Sequence, residues 1–314
     1  MNEIWDCIVV GGGAAGLSAG LVLGRARRKT LVIDAGEQSN LTAPGIGGLL
    51  GHDGRPPAEL YALGRRELAS YGVQVHAAEV ADVGRVDGVF AVHLADGASQ
   101  RTRRVLLATG MAYLPPELPG LDSLWGRSVF HCPFCHGWEV ADQPLAVLAG
   151  GDRAVHLALL LRCWSDDIVV LCDGSADLDD AGRTRLAGAG IEVDERPVAA
   201  LEAADGELAA VVFADGSRLP RRGLLVATGL RQRDQLAERL GVDITGPGPA
   251  AEDPVNVDPL CRTSVPGVFA AGDLTGEMPQ VAAAVAAGSR AAAAVVQSLA
   301  AEDYGLPLPG SVER

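Results

Sequence analysis

Residues 4–10, IWDCIVV, form an apolar run that ends in Gly11-Gly12-Gly13, and a helical stretch follows from Ala14 to about Arg27. A second run, Thr30 to Ile33, then closes on Asp34. Strand, glycine turn, helix, strand and terminal acid within roughly 30 residues make a βαβ dinucleotide-binding unit. Gly11, Gly13 and Gly16 meet the G-x-G-x-x-G spacing. The first makes the turn, the second lets the backbone approach a pyrophosphate, and the third lets helix and strand pack closely. Ala14 and Ala15 open the helix, whose unpaired N–H groups suit phosphate oxygens. Asp34, followed by Ala35, stands where a carboxylate binds ribose hydroxyls. A chain built on such a unit has to bury a parallel sheet under helices.

The plan recurs. LAVLA at 145–149 leads into Gly150-Gly151-Asp152, a helical stretch to Trp164 and the strand-like DIVVLC at 167–172. LLATG at 106–110 and LVATG at 225–229 stand at about the same remove after each unit. Between them, Asp-Gly pairs at 87–88, 96–97, 205–206 and 215–216 mark small antiparallel hairpins. The expected fold is therefore α/β, with two Rossmann-like three-layer dinucleotide-binding domains, each with an antiparallel β meander. Pro115, Pro116 and Pro119-Gly120 break the chain after the first ATG, and GPGPAAEDP at 246–254 breaks it after the second. GVFAAGD at 267–273 reads as one more strand, returning to the first domain. A first domain of residues 1–113 and 244–314 then encloses an inserted domain of 114–243.

A net charge of −14 argues against nucleic acid or an anionic membrane as partner, since both need a basic surface. The nearest thing to a membrane span, VAAAVAAGSRAAAAVVQSLA at 281–300, is interrupted by Gly288, Ser289 and Arg290, so a buried helix is expected there. The start MNEIWDC carries no basic and apolar secretory signal, which leads to a cytoplasmic expectation. Six cysteines in 314 residues do not make a disulfide framework, and a close pair in a reducing setting points to catalysis or metal binding.

That pair lies in HCPFCHGWE, residues 131–139. Its letters admit a haem anchor, half a zinc site or a redox dithiol. Haem attachment belongs mainly to exported proteins, and zinc needs two further ligands, whereas Cys163, Cys172 and Cys261 are scattered. The redox dithiol is the favoured reading. At a helix start, the dipole and a neighbouring imidazolium lower a thiol pKa, and His131 and His136 flank the pair closely enough to act on it. Trp138 reads equally as a pocket wall or as core.

GVFAAGD, followed by MPQVAAAVAAG at 278–288, the two ATG strings and the inserted C-x-x-C resemble the low-molecular-weight thioredoxin reductases, FAD-dependent pyridine nucleotide-disulfide oxidoreductases, across nearly the whole chain. The resemblance implies FAD as cofactor and a homodimer. It implies that Gly272-Asp273 meets the ribitol or pyrophosphate, and that Gln280 and Val281 approach the isoalloxazine through their backbone. By the same resemblance Val80 meets the adenine and Ala108 lines the pyrophosphate. Gln38, Asn40 and His52, in the polar stretch after Asp34, are expected FAD contacts. Cys135 is implied to be the flavin-proximal sulfur and Cys132 the one that exchanges with substrate.

Two departures redirect the functional reading. His136 stands where the ordinary reductase has aspartate after the second cysteine. In the inserted domain, Ala149 replaces the turn glycine, and Cys172-Asp173-Gly174 replaces a His-Arg-Arg, with no arginine before Arg183. An acid at that place repels a 2′-phosphate, so NADPH is not expected, while NADH stays open. The C-x-x-C-H-G run, His52 within G-H-D-G, and M-P-Q-V resemble the dithiol oxidases that close disulfides in small natural products such as gliotoxin and holomycin. The expectation is an FAD-dependent dithiol oxidase. A small-molecule dithiol, deprotonated by His131 or His136, reduces Cys132/Cys135, and dioxygen takes the electrons as hydrogen peroxide. The rivals are a disulfide reductase drawing on NADH, NADPH or another donor to serve a thioredoxin-like protein, and a non-catalytic flavin redox sensor.

Overall fold

The computed structural model describes residues 4–174, 177–248 and 251–307; of the break at 246–254, residues 249 and 250 lie outside the described residues. The chain opens with β1 (Ile4–Val10), α1 (Ala14–Arg25) and β2 (Thr30–Asp34), then α2 (Pro57–Ala69) and β3 (Gln74–Ala77). β4 (Val80–Val86), β5 (Val89–Leu94), β6 (Ser99–Leu107) and β7 (Met111–Leu114) follow. Next come β8 (Val129–Phe130), the single turn α3 (Pro133–His136), β9 (Leu145–Leu148), α4 (Gly151–Leu161), β10 (Ile168–Leu171), α5 (Asp180–Gly188) and β11 (Glu192–Asp194). A meander of β12 (Val198–Ala204), β13 (Glu207–Phe213) and β14 (Arg218–Pro220) precedes β15 (Gly223–Val226). The chain ends through β16 (Gly229–Gln232), α6 (Leu236–Arg239), β17 (Val268–Ala270) and α7 (Val281–Tyr304).

Two compact units result. One comprises Met1–Leu41, Pro56–Tyr113 and Leu230–Arg314; the other comprises Thr42–Arg55 and Leu114–Gly229. Residues 230–243, read from the sequence as the end of the insertion, give Leu236, Ala237 and Val242 to the same core as Phe90 and Leu107 of the first unit. The short sheet of β7 and β16 is formed by the two segments at which the chain passes from one unit to the other.

In the first unit the sheet runs β3-β2-β1-β6-β5-β4, with β17 also on β6. β1, β2, β3, β6 and β17 pair in parallel, whereas β4–β5 and β5–β6 are antiparallel. The second unit repeats the parallel part as β11-β10-β9-β15-β8, with β12-β13-β14 as a separate antiparallel sheet. The hairpin turns Asp87-Gly88 and Asp205-Gly206 have positive φ at both residues, which matches the twist of the strands they join.

Strand alternation divides each core in two. Val9, Val32 and Leu106 face the cluster that holds Leu17 and Leu23 of α1 and Ala291 of α7; Ile8, Ile33 and Leu107 face the cluster with Val83 and Phe90 of the meander. In the second unit Val147, Val170 and Leu225 meet α4 and α5, while Ala146, Val169 and Leu224 meet Leu208 and Phe213. Each fully buried aliphatic stabilises the fold by about 1.5–3 kcal/mol. Helix, sheet and meander thus form three layers in each unit, the architecture expected from the duplicated βαβ signal. α7 is long and apolar enough by composition to cross a membrane. Here it packs on α1 through small side chains, with Ala287, Ala291 and Ala292 almost fully buried beside Ala15 and Ala19.

Candidate active site

The first unit carries a cavity at the carboxyl ends of β1, β2 and β6. Gly11, Gly13, Ala14, Ala15, Asp34, Ala35, Gln38, Asn40, Val80, Ala108, Gly272, Asp273, Gln280 and Val281 all line it. Gly16 does not, and its role is packing: a Cβ there would collide with the Gly11 carbonyl oxygen. Gly11 has φ +107, and a Cβ on it would collide with the carbonyl of Ala108. Gly13 is different. A Cβ there would meet only Gln38 Cγ, at 3.7 Å, so this position opens toward the cavity. Gly12, which the motif leaves unspecified, is needed because a Cβ would overlap the Asp34 carboxylate.

Both long helices beside this cavity begin at its wall without a side-chain cap. α1 starts after Gly13 and α7 after Gln280, and neither preceding side chain bonds to the first turn. Unpaired N–H groups and the positive ends of two helices therefore favour an anionic ligand. The Asp34 carboxylate is held by the Gly36 N–H at 3.0 Å and the Gln38 amide at 2.8 Å, with Arg65 at 3.5 Å. Burial pushes the Asp273 carboxyl up to about 6, and its own backbone N–H and Arg233 pull it back. Thr109 Oγ1 is buried without a hydrogen-bond partner among the described residues, in the cavity wall. An elongated ligand with hydroxyls and an anionic centre answers each of these features, so the residues present fit FAD.

Other residues escaped the sequence reading. Arg233 donates to Ser39 Oγ at 2.6 Å, and Ser39 in turn donates to the Met111 carbonyl at 2.9 Å. The Tyr61 hydroxyl donates to Asn40 Oδ1 at 2.7 Å, and burial pushes its pKa up to about 12. Arg233 follows the second ATG closely, which had assigned it to the insertion. His52 belongs to the segment 42–55 of the second unit and is not among the residues lining this cavity.

In the second unit Cys132 and Cys135 form a disulfide, with Cα atoms 5.4 Å apart. β8 delivers Phe130 to the core, and Pro133 occupies the first position of α3, where its missing N–H costs nothing. Because α3 is one turn of four residues, the helix-dipole effect expected on the thiols is small. Cys132 is only 9% exposed. The loop 42–55 approaches the pair from outside: a Cβ on Gly47 would lie 2.6 Å from the Cys135 carbonyl oxygen.

The two histidines differ from the imidazolium expectation. His131 stacks on Trp125 with centroids 5.9 Å apart, and burial, then the charges of His136 and Arg153, push it down to about 4. His136 stacks on Phe130 at 5.7 Å and donates Nε2–H to the Gly126 carbonyl at 3.0 Å. Burial lowers its pKa as well, against the pull of Gly126, Glu139 and the Cys132 backbone. Both rings are neutral near pH 7. With Nε2 donating to a carbonyl, the neutral His136 ring carries its lone pair on Nδ1, which is buried without a hydrogen-bond partner among the described residues.

The second glycine turn is built differently from the first. Arg153, in the first turn of α4, donates to the Thr228 carbonyl at 2.6 Å. Thr228 follows β15, and β9 and β15 are the neighbours between which the strand order reverses. A dinucleotide would lie across that point, and the Arg153 side chain spans it. At the end of β10, Asp173 accepts from the Val198 N–H at 2.8 Å. Arg183 and Arg196 are paired with Glu195 and Asp194. No arginine is therefore presented without a carboxylate partner at this strand end, among the described residues.

A family model described as pyridine nucleotide-disulphide oxidoreductase matches residues 5–288. The thioredoxin reductase sirT of Leptosphaeria maculans is 33% identical over 93% of this chain and 94% of its own. The crystal structure of HlmI is 37% identical with a TM-score of 0.91, over 97% of this chain and 96% of that one. The structure of an oxidoreductase from Agrobacterium tumefaciens is 35% identical, with a TM-score of 0.88 over 95% and 99%.

Proposed function

The chain belongs to the pyridine nucleotide-disulphide oxidoreductase family as a thioredoxin reductase-like member with FAD as cofactor, and from that premise we propose that it oxidises small-molecule dithiols to cyclic disulfides, with dioxygen as acceptor. One observation carries this reading. A redox disulfide sits in a Rossmann unit whose nucleotide crossing is spanned by the Arg153–Thr228 hydrogen bond, so the pair is better supplied with electrons by a thiol substrate than by a nicotinamide.

The residues act in sequence. His136 takes the proton of one substrate thiol. The thiolate attacks Cys132, the enzyme S–S bond breaks, and Cys135 leaves as thiolate. The second substrate thiol then attacks the substrate sulfur of the mixed disulfide, which closes the ring and releases Cys132. A neutral histidine with a free lone pair suits this proton transfer. Gly11, Gly13, Ala14, Ala15, Asp34, Asp273, Gln280 and Val281 are the residues proposed to hold FAD, which when bound accepts the two electrons of the reduced pair and passes them to dioxygen as hydrogen peroxide. A homodimer and a cytoplasmic setting complete the proposal; four cysteines stay free, as a reducing compartment allows.

The relatives' name supports one rival, a reductase that sends electrons outward to a thioredoxin-like protein. Oxygen uptake tests the two together, with dithiothreitol, a panel of reduced cyclic dithiols and reduced thioredoxin as substrates. The proposal expects repeated turnover on small dithiols, with one peroxide per disulfide formed. Failure of every small dithiol, with NADH- or NADPH-driven reduction of thioredoxin, would replace it by the reductase; no turnover with any of them would leave a sensor.

A further inference from the structure

The wall of the cofactor cavity in the first unit is acidic. Asp34, Glu37, Glu79, Asp234 and Asp273 all line it, and among the described residues of that wall Arg233 alone is basic. The chain as a whole carries a net charge of −14. The pyrophosphate of FAD is dianionic, and like charges in a confined cavity repel. Against this the uncapped N-termini of α1 and α7 supply partial positive charge only. Arg233 supplies a full one.

The guanidinium is held in place. Arg233 directly follows β16, and its Nη2 donates to Ser39 Oγ at 2.6 Å. Ser39 is fixed in turn by the carbonyl of Met111, the first residue of β7, at 2.9 Å. It also follows Gln38, the side chain that a Cβ on Gly13 would meet at 3.7 Å. Arg233 is therefore tied to the stretch that faces the glycine where backbone can approach a pyrophosphate. The guanidinium has donors left after this one bond, and no carboxylate pairs with it among the described residues. Arg65, the other arginine nearby, is already spent on Asp34. The charge of Arg233 still reaches the wall. Burial raises the Asp273 carboxyl, and its own backbone N–H and Arg233 pull it back; burial and Asp273 raise the Tyr113 hydroxyl, and Arg233 again opposes them.

We propose that Arg233 is a cofactor-binding residue whose guanidinium answers the pyrophosphate charge of FAD, and that Ser39 holds it in position to do so. Its action is electrostatic: it lets an otherwise acidic wall retain a dianion. The inference needs only FAD as cofactor. It is independent of the direction in which electrons run, and so stands apart from the dithiol-oxidase reading.

The test is the dissociation constant of FAD, measured by equilibrium dialysis of the loaded protein with flavin fluorescence as readout. Wild type, Arg233→Met, Arg233→Lys and Ser39→Ala are compared at low and high salt. At about 20 mM salt, Arg233→Met should weaken FAD roughly ten- to fiftyfold, the scale of one charge-assisted hydrogen bond. Arg233→Lys keeps the charge and should recover most of that loss. Ser39→Ala frees the guanidinium without removing it and should weaken FAD roughly threefold. At about 500 mM salt the gap between wild type and Arg233→Met should close to within about threefold, because screening weakens the attraction that only wild type has. Arg233 is exposed, and far-UV circular dichroism should match wild type in every variant. A constant for Arg233→Met within about twofold of wild type at low salt overturns the proposal. So does a loss that is equal at both salt concentrations, or one that Arg233→Lys fails to recover, since either makes Arg233 a packing residue.

Discussion

The protonation state of His131 has a measurable effect on stability. An unfolded histidine titrates at about 6.5, and burial pushes the folded ring down to about 4. Below the unfolded value the unfolded chain binds a proton that the native state refuses, so stability is full above that value and falls with pH toward the folded one. Between about pH 7.5 and about pH 5.5 the loss is roughly 1.4 kcal/mol, the free-energy equivalent of one pH unit of unequal protonation. That window stays above the sequence pI of 4.8, where precipitation would interfere. The substitution His131→Gln keeps a polar planar group and removes the titration. It also loses the Trp125 stack, but that loss is the same at both pH values and cancels. Urea unfolding of wild type and variant at saturating free FAD should show wild type losing roughly 1.4 kcal/mol more than the variant over the window. Parallel losses in the two proteins would mean that His131 is charged or exposed in the native state, and the argument for neutral histidines beside the disulfide would fail.

His136→Gln should slow single-turnover dithiol oxidation on the order of 100-fold at neutral pH, with a much smaller effect from His131→Gln, measured by product after quench. Gly11→Ala forces a Cβ into the Ala108 carbonyl at a positive φ; dialysis followed by flavin-to-protein absorbance should reveal roughly tenfold or weaker FAD retention. Cys132→Ser and Cys135→Ser should each abolish turnover in the oxygen electrode and leave bound FAD at the wild-type ratio.

Where residue type alone dictates backbone, the sequence was readable. Glycines at 11, 13 and 16 and the period-two apolar runs announced the first βαβ unit, and the Asp-Gly turns announced both meanders. Fourteen of the sixteen expected cofactor residues line one cavity: those of the first βαβ unit follow from motif spacing, whereas Val80, Ala108, Asp273, Gln280 and Val281 were what the family resemblance implied. Side-chain direction is not encoded in this way. Nothing in GGDRA tells that Arg153 reaches the Thr228 carbonyl, or in GLRQR that Arg233 turns to Ser39. The charge state of the two histidines depends on burial by Trp125 and Phe130, which only tertiary packing sets. Likewise, the polar loop 42–55 follows Asp34 in sequence yet groups with the second unit, so its His52 does not line the cavity.

The most direct test of the central claim is the flavin absorbance of the loaded protein under nitrogen, mixed separately with one equivalent of a small dithiol, of NADH and of NADPH. Electron entry through Cys132 and Cys135 predicts rapid bleaching by the dithiol, abolished in Cys132→Ser, and no bleaching by either nicotinamide. Fast bleaching by NADH or NADPH, with the dithiol inert, would contradict it.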